Sequence, residues 1–84
     1  MLISMKEFTE QVAAKVRAEM ASRRMTITNL SDATGIAHKT LSRRLSGKSA
    51  WTTDELYSVA KSLGAPIGQL LDVGTAPSKK EVLR

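Results

Sequence analysis

Two short amphipathic segments on either side of Gly35 constrain the fold more than any other feature of the sequence. Thr26 can cap the first segment, with Met25 and Leu30 as the flanking apolar pair that staples a helix start. This helix must end at Gly35, because glycine adopts the left-handed conformation that terminates a helix at little cost. A further helix is predicted from near His38 to a point before Gly47. The sequence thus predicts two helices joined by a tight turn.

A longer helix is predicted upstream of this pair. Ser4 and Glu7 have the spacing of a capping box, with Ile3 and Phe8 as the staple pair. The apolar residues of one face recur at helical spacing to about Ser22: Met5, Phe8, Val12, Ala13, Val16, Ala18 and Met20.

Two more helices are predicted downstream. Thr52 and Glu55 form a second capping box, and Trp51 is predicted to pack on Leu56 as core. The buried face of this helix carries Leu56, Val59, Ala60 and Leu63, and Gly64 ends it. Pro66 occupies the first position of a short fifth helix. The prediction is an all-α, compact five-helix domain over residues 1–73, with residues 74–84 as a loosely ordered tail.

Composition excludes several classes of site. The chain has 84 residues, no cysteine and one histidine, so neither a disulfide nor a thiolate metal site is possible. A run of about 20 apolar residues, as a membrane helix requires, is absent from the sequence. Residues 1–5 are too short for a signal peptide. We therefore expect a cytoplasmic protein with no membrane association and no metal, cofactor or small-molecule ligand.

Positive charge is concentrated in one segment. The formal net charge is +5. Residues 23–48 contain six Lys or Arg and a single acid, Asp32, so this segment alone carries the net charge of the whole chain. Such a patch is typical of a polyanion binder, although a solvated basic surface is the alternative.

The helix–turn–helix geometry gives this basic segment a chemical role. In that motif the second helix lies in the major groove of DNA. The motif needs a glycine at the turn, apolar residues that lock the two helices to the core, and a small residue where the helices approach. These requirements are met by Gly35 at the turn, by Leu30, Ile36 and Leu41 as the apolar residues, and by Ser31 as the small residue.

Residues 25–71 resemble the lambda-repressor-like (Cro/C1, or XRE) helix-turn-helix family. The matching positions share the spacing of that family: Thr26, Leu30, Gly35-Ile36, Leu41-Ser42, Gly47-Lys48, Leu56, Ala60-Lys61, Leu63-Gly64 and Leu70-Leu71. The resemblance implies a five-helix DNA-binding domain of a bacterial or phage transcription regulator, commonly acting as a dimer.

The resemblance also implies roles for individual residues. It predicts that base edges are contacted by Ala37, His38, Lys39, Ser42 and Arg43. It predicts phosphate contacts at the second helix, the third helix and the loop after it: Thr26, Ile27, Thr28, Thr40, Arg44, Ser46 and Lys48. Three positions depart from the family pattern. Ile27 stands where the family often has a glutamine, Ala37 where it has a capping serine, and Arg44 where it prefers an apolar residue. The aliphatic stem of Arg44 is expected to lie on the core, with the guanidinium at the surface.

The residues themselves support this assignment. His38 with Ser42, and Lys39 with Arg43, are i,i+4 pairs on the helix face opposite Leu41. Arg and Lys make the commonest specific base contact, to guanine O6 and N7.

The sequence bears on four classes of function. The favoured one is a Cro/C1-type repressor that binds a double-stranded operator and occludes a promoter, with a possible homodimer through Ile67, Leu70, Leu71 and Val73. The alternative is an antitoxin-type protein-interaction module that also binds its own operator, which apolar residues beyond the fifth helix would support: Val73, Val82 and Leu83. An RNA binder is disfavoured by the absence of exposed aromatic clusters and Gly-rich clamps. An enzyme is disfavoured because no catalytic group of residues can be assembled.

Overall fold

A computed structural model describes residues 4–72, and within that range all regular structure is helical. The five helices are α1 (Met5–Ser22), α2 (Ile27–Thr34), α3 (His38–Leu45), α4 (Thr53–Leu63) and α5 (Ile67–Leu70). The prediction of an all-α, five-helix domain with the helix-turn-helix at α2 and α3 is confirmed. None of the described helices is both long enough and apolar enough to cross a membrane.

Side-chain caps fix the starts of three helices. Ser4 caps α1 and Thr52 caps α4, each in a reciprocal box with the glutamate three residues on. Thr26 caps α2, where Asn29 takes the place of the usual glutamate: the Asn29 N–H donates to Thr26 Oγ1 (3.0 Å) and the Thr26 N–H to Asn29 Oδ1 (3.1 Å). The short helix α5 begins one residue later than predicted, so that Pro66 precedes it rather than opening it.

The core joins one apolar face from each helix. α2 packs against α3 and α4, while α1 lies across α3 and α5. The buried apolar residues are Val12, Ala13, Val16, Met20, Leu30, Leu41, Leu45, Leu56, Val59, Ala60, Leu63, Ala65 and Leu70. Trp51 packs against this core, as predicted. Met5, Phe8 and Ala18 share the predicted apolar face of α1 yet remain exposed, so the buried part of that face is shorter than its pattern.

The turn between α2 and α3 is held by side chains of α2. Gly35 adopts a left-handed conformation (φ 79°) and its N–H donates to the Ser31 carbonyl (2.8 Å). Ser31 Oγ donates to the Ile36 carbonyl (2.7 Å), and the Ile36 N–H donates to Thr34 Oγ1 (3.2 Å). These bonds fix the angle at which α3 leaves the turn, so Ser31 contributes a hydrogen bond as well as its small size.

The loop after α3 lies directly against α1. Gly47 has φ 84°, and a Cβ added there would sit 3.4 Å from Glu10 Cγ and 3.6 Å from Glu10 Cα. The added Cβ would make only ordinary van der Waals contact with α1, so it is the left-handed backbone that favours glycine at this position.

The predicted dimer surface is corrected at one residue. Leu70 is 0% exposed within the monomer and is a core residue, so it cannot contact a second copy. Ile67 and Leu71 on the same short helix are 36% and 38% exposed. Val73 and the predicted tail, residues 74–84, lie outside the described residues, as does Ile3, so the domain boundary and the Ile3–Phe8 staple stay predictions.

Candidate nucleic-acid interface

Helix α3 separates an apolar inner face from a polar outer one. Leu41 and Leu45 face the core and are buried. The five residues predicted to contact bases are all exposed and lie at the start and on the outer face of this helix: Ala37, His38, Lys39, Ser42 and Arg43. The structure thus brings the predicted base-contacting residues together on one open surface.

The positive charges of this surface are unpaired. The side chains of Lys39, Arg43 and Lys48 make no hydrogen bond or ion pair with any described residue. By contrast, Arg23 pairs with Glu19 at the end of α1, and the Glu19 pKa falls below its ordinary value because of hydrogen bonds from Arg23 and then Gln69. The unpaired cations leave α3 and the following loop with an uncompensated positive potential that suits a polyanion.

The predicted phosphate contacts are placed unevenly. Thr28, Ser46 and Lys48 are exposed, whereas Ile27 and Thr40 are partly buried. Ile27 packs against the core, so only its backbone N–H is suited to an anion. The hydroxyls of Thr26 and Ser46 are used in local hydrogen bonds. Thr26 Oγ1 accepts from the Asn29 N–H, and Ser46 Oγ donates to the Arg43 carbonyl (2.9 Å).

The start of α3 has no side-chain cap. Ala37 occupies the capping position, and its side chain offers no acceptor to the first N–H groups of the helix. Replacing Ala37 with serine should therefore raise the free energy of unfolding by about 0.5–1 kcal/mol. Urea denaturation would measure the change, with Ala50→Ser, an exposed position outside any helix, as the control. A neutral Ala37→Ser would show that the uncapped N–H groups carry no penalty.

Arg44 lies on the side of α3 that faces α4. Its Nε donates to Glu55 Oε1 (2.8 Å) and its Nη2 donates to Glu55 Oε2 (3.2 Å), with both side chains partly buried. These hydrogen bonds lower the pKa of Glu55 and raise the pKa of Arg44. A phosphate contact by Arg44 stays a prediction. Such a contact would have to use the guanidinium N–H groups that do not donate to Glu55.

The Arg44–Glu55 pair should make stability depend on pH. Because the folded pKa of Glu55 is lowered, the contribution is complete above the ordinary glutamate pKa of about 4.3 and is lost as pH falls through the lower folded value. Glu55→Gln keeps the acceptor for the Thr52 N–H, so it should cost about 1–2 kcal/mol near pH 7 and much less near pH 3. Urea titrations across this range would measure both proteins; a pH-independent difference would contradict the assignment.

One contact at the far end of α3 is not among the sequence-based predictions. Arg17 of α1 donates from Nη1 to the Leu45 carbonyl oxygen, across 28 positions of sequence. No local pattern indicates such a bond, since arginines on exposed helix faces are common. Within residues 4–72 no cluster of three or more His, Asp or Glu side chains could hold a metal ion.

Comparisons with known proteins agree with this geometry. The model of the Cro/C1-type HTH DNA-binding domain family matches residues 15–75. Two crystal structures of the clp gene regulator ClgR from Corynebacterium glutamicum superpose with TM-scores of 0.73 and 0.72, each at 26% sequence identity over 76% of this chain. The match covers 68% of the first ClgR chain and 83% of the second. The search of curated proteins found no significant match. The family match spans more than half of the sequence and includes the whole helix-turn-helix, so this chain belongs to the Cro/C1-type helix-turn-helix DNA-binding family.

Proposed function

We propose that this DNA-binding transcriptional regulator is a sequence-specific repressor of phage or bacterial origin that acts in the cytoplasm by occluding a promoter. The observation that carries the proposal is the outer face of α3, which is exposed, basic and free of internal ion pairs among the described residues. A surface of this kind has the size and charge to enter the major groove. A domain bound there would exclude other proteins from the same stretch of DNA.

The DNA contact proposed for each residue follows from the position of its side chain. Lys39 and Arg43 would donate to guanine O6 and N7, and the Ala37 methyl group would contact thymine. His38 and Ser42 would reach a base edge or a neighbouring phosphate. Backbone and side-chain donors at the start of α2, within α3 and in the loop after it would hold phosphates on either side of the groove: Thr26, Ile27, Thr28, Thr40, Ser46 and Lys48, with Arg44 if its free donors reach the DNA.

A homodimer would give the operator two half-sites. Ile67 and Leu71 keep exposed apolar side chains that would suit such a contact, and Val73 follows them in the sequence. Two copies related by a twofold axis would present their α3 helices to half-sites about 34 Å apart, one turn of DNA. The antitoxin alternative depends on residues 73, 82 and 83, which lie outside the described residues.

Selection of bound sequences from random duplex DNA tests this proposal directly. We expect enrichment of one short motif, palindromic if the protein binds as a dimer. A reporter carrying that motif between promoter elements should be repressed. Enrichment of no motif would overturn sequence specificity, and activation of the reporter would overturn repression.

Affinity for the selected duplex should fall steeply with salt. If about four to six phosphates are neutralised per subunit, log K should fall with log salt at about −0.9 per contact. Fluorescence anisotropy at four or more salt concentrations would give the slope. A slope near zero would contradict DNA binding by this basic surface.

A further inference from the structure

The C-terminal turn of α3 has one carbonyl that the local chain does not satisfy. The last four carbonyls of any helix lack partners within the helix. In α3 the carbonyls of Ser42, Arg43 and Arg44 accept hydrogen bonds from the backbone N–H groups of residues 46–48, at 3.1–3.2 Å. The fourth carbonyl, that of Leu45, accepts from a side chain on a different helix.

That donor is Arg17 of α1. Side chains of a helix lean toward its N-terminus, which from Arg17 is the direction of Glu10, the residue of α1 that Gly47 approaches. A cation at a helix C-terminus is also favoured by the helix dipole. Arg17 makes no ion pair with any described residue, so among these residues its guanidinium interacts with α3 through the hydrogen bond to the Leu45 carbonyl.

The orientation of α3 depends on such contacts from outside. Helices of eight residues are not stable alone, and the start of α3 has no side-chain cap. At its other end Arg17 holds it from α1, while the Arg44–Glu55 pair holds it from α4. A helix of this length is about 12 Å long, so a tilt of about 10° about its C-terminal end would move its first residues by about 2 Å. Hydrogen bonds to base edges do not survive such a displacement.

We propose that Arg17 is a positioning residue for base recognition: by holding the Leu45 carbonyl it fixes the tilt of α3, and it contacts no base itself. This inference rests on the proposed function, since it concerns sequence-specific binding. Loss of the bond should affect discrimination between DNA sequences more than the general attraction for phosphates, which flexible side chains in the loop can maintain.

The test compares Arg17→Met with a charge-matched control. Methionine keeps an unbranched apolar stem but lacks the donor and the charge. Lys15→Met removes the same charge from the same helix, and Arg17→Lys restores a cationic donor. Each variant is titrated with the selected duplex and with random duplex at two salt concentrations, and amide hydrogen exchange is measured at residues 42–45 without DNA.

The expected result has three parts. Arg17→Met should lower the ratio of specific to random affinity by about three- to tenfold, the effect of one hydrogen bond, with an unchanged salt slope. Exchange at residues 42–45 should accelerate in Arg17→Met but not in Lys15→Met. Arg17→Lys should recover part of both losses.

Two outcomes would overturn the proposal. An equal loss on both duplexes with the salt slope reduced by one contact would make Arg17 a phosphate ligand. An unchanged affinity ratio and unchanged exchange would show that the bond positions nothing. A wild-type protein that selects no duplex would overturn the proposed function and with it the base-recognition role, whereas the exchange comparison would still decide whether Arg17 holds α3.

Discussion

Replacing Leu41 with alanine is expected to lower the free energy of unfolding by about 2–5 kcal/mol. Leu41 is 0% exposed and belongs to the core cluster that joins α3 to the other helices. Its removal leaves a cavity that the neighbouring backbone can fill only in part. Since domains of this size are stable by only about 5–15 kcal/mol, much of the fold's stability depends on this side chain.

Urea denaturation followed by circular dichroism would measure the Leu41→Ala effect. Ser42→Ala is the matched control, because Ser42 is the next residue of the same helix and is exposed. The control should change stability by no more than about 0.5 kcal/mol. Equal effects of the two substitutions would contradict the orientation of α3 and with it the assignment of its outer face to DNA.

The second large effect is expected in binding, where Arg43→Ala should reduce discrimination between the selected duplex and random DNA by about 1–3 kcal/mol. Arg43 is exposed on the outer face of α3 and its guanidinium has no partner among the described residues. In the proposed complex it reaches a base edge. The loss should therefore be concentrated at one or two base pairs of each half-site.

Lys48→Ala is the matched control for Arg43→Ala. It removes the same charge from the loop after α3, where the proposed contact is to phosphate alone. It should weaken binding to both duplexes about equally and reduce the salt slope by about one contact. Titration of both variants with both duplexes at two salt concentrations separates the two roles. Equal losses on both duplexes for both variants would show that α3 contacts no bases and acts only as an electrostatic surface.

Local sequence was sufficient to predict the helices and their order. The starts of α1 and α4 follow from hydroxyl–glutamate pairs three residues apart, whose hydrogen bonds depend only on neighbouring backbone. Gly35 and Gly64 end α2 and α4 at the predicted positions. The exposure of Lys39 and Arg43 opposite Leu41 follows from helical periodicity alone. Such features are predictable because both partners lie within one or two turns of each other.

Only the tertiary structure decided which distant groups meet. The Arg44–Glu55 pair and the bond from Arg17 to Leu45 each join two helices, and the approach of Gly47 to α1 joins a loop to a helix. The burial of Leu70, which the sequence placed on a dimer surface, has the same origin, because the docking of α5 decides which of its apolar residues is covered. Periodicity assigns a side chain to a face of its own helix. It carries no information on which element covers that face, because the relative placement of helices is set by the packing of the whole core.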